Sequence, residues 1–144
     1  MPTQNEFLYS RLMNRLLAFL IFIFLSLISS RSFAEWIEIN ESVSGNKFYM
    51  DTAKIKKNKD KVYYWTIQDY LKPADGIFSG KSYIEATCKT PLKQRYLAVT
   101  LYAGPMATGQ SFSVSAKEID AVGWRTPHPG SAEEGNQKYA CKFK

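Results

Sequence analysis

Hydrophobic and polar residues follow two different rhythms along this chain. From Leu16 to Ile28 the apolar side chains run almost unbroken, whereas beyond Glu35 they come in short alternating stretches separated by turn residues. Alternation with a period of two, in segments rich in tyrosine, phenylalanine, threonine and valine, is the pattern of antiparallel strands. It predicts strands at Trp36–Ile39, Lys47–Asp51, Lys61–Tyr70, Lys81–Lys89, Lys93–Ala103 and Gln110–Ser115. "KKNKDK" reads as a polar loop, "KPADG" as the end of the third strand, and Pro91 as the break before the fifth. No internal repeat is found, and connections this short favour antiparallel neighbours.

Successive strand residues point to opposite faces, so alternation also sorts the side chains. Composition assigns Tyr63, Trp65, Ile67, Ile84, Ala86, Cys88, Leu97, Val99 and Leu101 to a core face. The opposite set is amphipathic, and its Tyr64, Thr66, Tyr83, Tyr96 and Tyr102 form a candidate binding face for homodimerisation or a ligand.

The apolar run at the start has positive charge before it, from Arg11 and Arg15, and the small-x-small sequence Ser32, Phe33, Ala34 after it. That is the layout of a cleavable secretory signal over residues 1–34, and the run is shorter than the roughly 20 residues a spanning helix needs. The expected mature product starts at Glu35 as a single domain, 35–144, with no stable membrane span. The leader carries Arg11, Arg15, Arg31 and Glu6, which leaves 16 basic against 12 acidic residues, net +4. So mild a charge, without a dense basic stripe, argues against nucleic acid as a partner.

Export changes the meaning of the cysteines. Two only, Cys88 and Cys141, in an oxidising compartment predict one disulfide, closing a loop of about fifty residues and contributing on the order of 4 kcal/mol. Before Cys141, Ser131 followed by Glu134 reads as a capping box, predicting a helix from about Ala132 to Cys141. Gly135 weakens that helix by about 1 kcal/mol, so the disulfide is read as the staple that holds it over the core.

These pieces carry a family resemblance. Trp36, "FYMD" ending at Asp51, "VYYWTIQDY", "TCK" around Cys88, Arg95, "YAGPMATGQ", and Trp124 leading into "PGSAEEGNQKYAC" resemble, in order and spacing, the surface-adhesin protein E family of exported bacterial proteins. The resemblance implies a mainly β, α+β fold: one curved antiparallel sheet of about six strands with a C-terminal helix tethered to its concave face by the cysteine pair. It also implies adhesion to host extracellular-matrix or serum proteins without catalysis. No lipid-attachment cysteine follows the leader, so the product is expected in the periplasm, secreted or at the cell surface, and not lipid-anchored. The alternative is a periplasmic structural or accessory module that binds a cell-envelope component.

Nothing in the pattern assembles an enzyme, a cofactor site or a metal site. "GIFSGKS" has three residues between its glycines where a phosphate loop needs four. His128, held between Pro127 and Pro129, reads as an exposed loop residue, and one histidine with a disulfide supplies no nucleophile, base and orienter. Lys54, Lys56, Lys57, Lys59 and Lys61 read first as a solvated turn or edge-guarding run and second as a candidate basic patch for an anionic partner.

Overall fold

The computed structural model describes residues 13–20 and 35–144. The chain divides into two units, Met1–Phe33 and Ala34–Lys144. Residues 13–20 are helical, and the remainder of the expected leader, with its cleavage site, lies outside the described residues. No helix among the described residues is long and apolar enough to cross a membrane.

The second unit is one antiparallel sheet of seven strands. They are β1 (Trp36–Glu41), β2 (Lys47–Asp51), β3 (Lys56–Asn58), β4 (Lys61–Ala74), β5 (Ile77–Thr87), β6 (Gln94–Tyr102) and β7 (Ser111–Ser113), followed by helices α1 (Ala116–Val122) and α2 (Ala132–Lys142). The order across the sheet is β1-β2-β4-β5-β6-β7, with β3 beside the first residues of β4. All six expected strands are present, with shifted ends, and two elements are additional. β3 lies within the lysine-rich run expected to be a loop. α1 follows Ser115, whose hydroxyl accepts from Glu118 N while Glu118 Oε2 accepts from Ser115 N, a complete capping box.

The β4–β5 hairpin is longer than its sequence suggested. Lys72, Pro73 and Ala74 remain in β4, and the turn is Asp75–Gly76, both with positive φ (52° and 76°), the conformation favoured for a two-residue hairpin. Ladder register is irregular between Asp69 and Ala74, which is where Pro73 is accommodated.

The core lies between the sheet and α2. Met50, Val62, Tyr64, Ile84, Ala86 and Ala140 are buried together, with Ile39, Ile55, Tyr96 and the Cys88–Cys141 disulfide packed against them. The helix therefore sits on one face of the sheet, joined by the disulfide. The pairing of Tyr64 with Ile84 and of Val62 with Ala86 corrects the expected sorting: Tyr64 belongs to the core, and Tyr63 and Trp65 point the other way. A bulge in β6 displaces Leu97, so Tyr96 shares the helix face with Ile84 while Ala98 shares the outer face with Tyr83.

α2 is held by more than its staple. Ser131 Oγ caps Glu134 N at 3.2 Å, although Glu134 Oε2 accepts from Gly130 N at 2.8 Å and leaves the reciprocal half of the box unmade. Buried Gln137 donates to the carbonyls of Thr87 (2.6 Å) and Lys93 (3.2 Å), and Asn40 Nδ2 donates to Ala132 O at 3.1 Å. Gly135, expected to be a weak point, is where β1 comes closest: a Cβ there would collide with Asn40 Nδ2. Backbone flexibility is exchanged for close approach at that one position.

Candidate binding surface

The outer face takes the alternate residues of the same strands. Register places Trp65 beside Tyr83, Ile67 beside Lys81, and Tyr63 beside Glu85. The Trp65 and Tyr83 rings stack with centroids 4.8 Å apart, and Tyr63 follows at 6.4 Å from Tyr83. On the other side, Lys81 Nζ lies 5.0 Å from the Trp65 ring and 5.6 Å from that of Trp36 on β1. The result is a row, Trp36, Lys81, Trp65, Tyr83, Tyr63, running across three strands with every member half-buried. A cation over a ring face is worth about 0.5–1 kcal/mol at such sites, and aromatic pairs add a similar amount.

Beyond Tyr63 the row ends in a charge cluster. Glu85 is 2 % exposed, and its two oxygens accept from Lys61 Nζ (2.6 Å), Arg95 Nε (2.6 Å) and the Tyr63 hydroxyl (3.0 Å). Burial alone would raise the Glu85 carboxyl, but the three donors, with the charge of Arg95, outweigh it and hold the group below the ordinary carboxylate range. Lys61 and Arg95 also lie over Trp124, at 5.3 and 5.0 Å from its ring, and Trp124 is 40 % exposed. Two cations on one carboxylate, plus Lys81, leave the row positively charged.

At its opposite end the face is partly roofed by the loop between β6 and β7. Met106 and Ala107 both have positive φ (51° and 56°), and their amides donate to Asp69 Oδ1 (2.7 Å) and Ser79 Oγ (3.0 Å). This gives Asp69 a partner that the sequence could not identify. The open part of the face is thus the aromatic and cationic row between this roof and Trp124.

The expected binding set does not share one face. Tyr64 and Thr66 are buried on the helix face, where Tyr96 also lies; Tyr83 and Tyr102 are on the outer face. Burial raises the Tyr64 and Tyr96 hydroxyls above the ordinary phenol range, keeping both protonated; Tyr64 donates to Gln94 and Tyr96 accepts from Arg125. The five lysines are also divided. Lys54 Nζ is 3.0 Å from buried Asp51, Lys61 clamps Glu85, and Lys57 donates to the carbonyls of Cys141 (2.8 Å) and Phe143, closing the C-terminal end of α2. Lys56 and Lys59 are exposed, as is His128. Sequence reasoning overlooked Trp36, Lys81, Glu85, Arg95 and Trp124 as site residues, because only the pairing of strands across the sheet brings them to one face. Among the described residues no group of three or more His, Cys, Asp or Glu is placed to hold a metal ion.

A sheet covered on one side by a disulfide-linked helix and open on the other defines a small, mainly β, α+β domain. The family model for surface-adhesin protein E matches residues 36–142, nearly the whole of this unit, and the chain belongs to that family. Searches of curated proteins and of solved structures each found no match.

Proposed function

We propose that this chain is exported, loses its leader after Ala34, and acts without catalysis as an adhesin-like protein that binds a protein ligand through its outer sheet face. The carrying observation is the row Trp36–Lys81–Trp65–Tyr83–Tyr63, half-exposed and prepacked by ring stacking and cations. Tryptophan, tyrosine and arginine are the side chains that dominate protein interfaces, and a row already ordered loses little side-chain entropy on binding. Its positive charge favours an acidic patch on the partner. Family membership supports the same reading, with host extracellular-matrix and serum proteins as the first partners to try.

The test is surface plasmon resonance of the purified protein against a panel of matrix and serum proteins, with Trp65→Ser/Tyr83→Ser as the comparison. Loss of a hot-spot pair should raise Kd by about 30-fold or more. Unchanged affinity in a variant that keeps its circular dichroism spectrum would exclude this face. Protease treatment of whole cells separates an adhesin, which is cleaved, from a periplasmic accessory module, which is protected. N-terminal sequencing should begin at Glu35.

A further inference from the structure

The helix face holds a second site, independent of the outer row. α2 covers Met50, Val62, Tyr64, Ile84 and Ala86, and its cover ends at the next cross-strand row, where Thr66 pairs with Ser82 and Gln68 with Gly80. A polar hollow of about 30 Å³ opens there, floored by Thr66, Gln68 and Ser82 and walled by Arg125, Glu133 and Asn136.

The wall is fixed by its own bonds. Arg125 Nη2 donates to Glu133 Oε1 at 2.8 Å and to the Tyr96 hydroxyl; Gln94 Nε2 reaches Glu133 Oε2 at 3.3 Å; the Tyr64 hydroxyl donates to Gln94 Oε1 at 3.4 Å. Two buried polar atoms are left over. They are the acceptor Asn136 Oδ1, on a residue 4 % exposed, and the donor Arg125 Nε. Unpaired buried groups of this kind are costly, and a guest that bonds both recovers the loss.

The charges of the wall select the guest. Arg125 and Glu133 neutralise each other, so a carboxylate guest would face Glu133 and the Asn136 oxygen, and a cationic guest would face Arg125. A neutral group that both donates and accepts meets no like charge. Along the same face the surface then turns apolar. Gly80 is buried beneath the Tyr70 hydroxyl and Leu101, and Leu101 pairs with Phe112 at the edge of the sheet. Phe112 is 53 % exposed.

We infer that the hollow is a ligand site for a neutral head group that donates and accepts hydrogen bonds, a carboxamide in its simplest form, carried on a short apolar body that leaves the hollow toward Leu101 and Phe112. A hollow of this size accommodates about two waters, which matches the few heavy atoms of such a head group.

The test uses three near-isosteres that differ in charge and in their donor and acceptor atoms: acetamide, acetate and acetamidinium. Each is titrated into the purified protein while the Asn136 side-chain amide and Arg125 Nε–H signals are followed by NMR. Acetamide should shift both signals saturably, and the two ions should bind at least about tenfold more weakly, the effect of one mismatched buried hydrogen bond. Hexanamide should bind about tenfold more tightly than acetamide, through partial burial of its added methylenes. Asn136→Leu should abolish the response; if that variant does not fold, Thr66→Val removes a floor hydroxyl at nearly constant volume and should weaken it. Equal binding of all three isosteres, no saturable shift at these two groups, or an unchanged response in the folded variant would overturn the site. Equal affinity for acetamide and hexanamide would overturn its apolar half.

Discussion

Tyr64 and Trp65 are neighbours in β4 and belong to different environments. Tyr64 is fully buried beneath α2, with its hydroxyl bonded to Gln94, while Trp65 stands half-exposed on the outer face between Tyr83 and Lys81. Both are large amphipathic aromatics, so composition does not separate them. What separates them is the position of one helix. The helix face closes over its apolar residues and leaves one polar hollow beside Arg125 and Asn136; the outer face covers its rings with one another and with cations, and keeps their edges available.

The sharpest way to break this comparison is to truncate each neighbour. Tyr64→Ala should cost about 3–5 kcal/mol, because it opens a cavity and leaves Gln94 without its donor. Trp65→Ala should cost about 1 kcal/mol, the scale of a cross-strand aromatic pair on a solvated face. Urea denaturation of the two variants measures both, and equal losses would show that the outer face is a second core.

The disulfide tests whether the helix face depends on α2 remaining in place. The Cys88–Cys141 bond spans 53 residues, which in the chain-entropy model corresponds to about 4 kcal/mol. In Cys88→Ser/Cys141→Ser, hydrogen exchange should show α2 opening before β4 and β5 do, since noncovalent contacts, among them the bonds made by Gln137, Asn40, Lys57 and Glu133, are then its only ties. The outer row should keep its ring stacking, read from near-ultraviolet circular dichroism. Loss of that signal together with α2 protection would mean that the two faces are one cooperative unit.

Acid should weaken the outer face through Glu85. The Glu85 carboxyl is held below its ordinary range in the folded protein, so unfolding in acid takes up a proton. Its contribution is complete above the ordinary carboxylate range, near pH 4–4.5, and is lost as the pH falls through the lowered folded value. The urea midpoint of the natural protein should therefore fall more steeply below about pH 4 than that of Glu85→Gln. Parallel curves would show that Lys61 and Arg95 do not stabilise the charged form.

Much of this was readable in the sequence, and the errors have identifiable causes. The disulfide and the start of α2 follow from residue types that act locally or covalently, and both are present. The strands followed from alternation, but alternation fixes parity within a strand and not between strands. β5 was assigned correctly, with Ile84 and Ala86 inward; β4 was assigned one residue out of phase, and such a slip exchanges every side chain between the faces. β6 was half correct, because the bulge at Leu97 reverses parity midway, leaving Val99 and Leu101 on the helix face as expected. β3 was invisible because an edge strand of lysines and asparagine has no apolar alternation to show. α1 is legible in "SAKE", the same capping signal as at Ser131, but alternation from Gln110 places Ser115 at the end of a strand. The binding row required register, which depends on pairing across the whole sheet.

Gly135 gives the smallest expected effect and the most specific test of how α2 reaches the sheet. Helix propensity alone predicts that Gly135→Ala stabilises the protein by about 1 kcal/mol. The added methyl, however, would collide with Asn40 Nδ2, and that side chain can move only by giving up its bond to Ala132 O, also worth about 1 kcal/mol. The two effects oppose, so the single variant should be close to neutral. In an Asn40→Ala background the collision and the bond are both absent, and there Gly135→Ala should stabilise by the full propensity difference. A double-mutant cycle should therefore show a coupling of about 1 kcal/mol between two positions ninety-five residues apart in sequence. Simple additivity would mean that β1 does not approach α2 at Gly135 in solution, and that the disulfide and Gln137 alone set the height of the helix above the sheet.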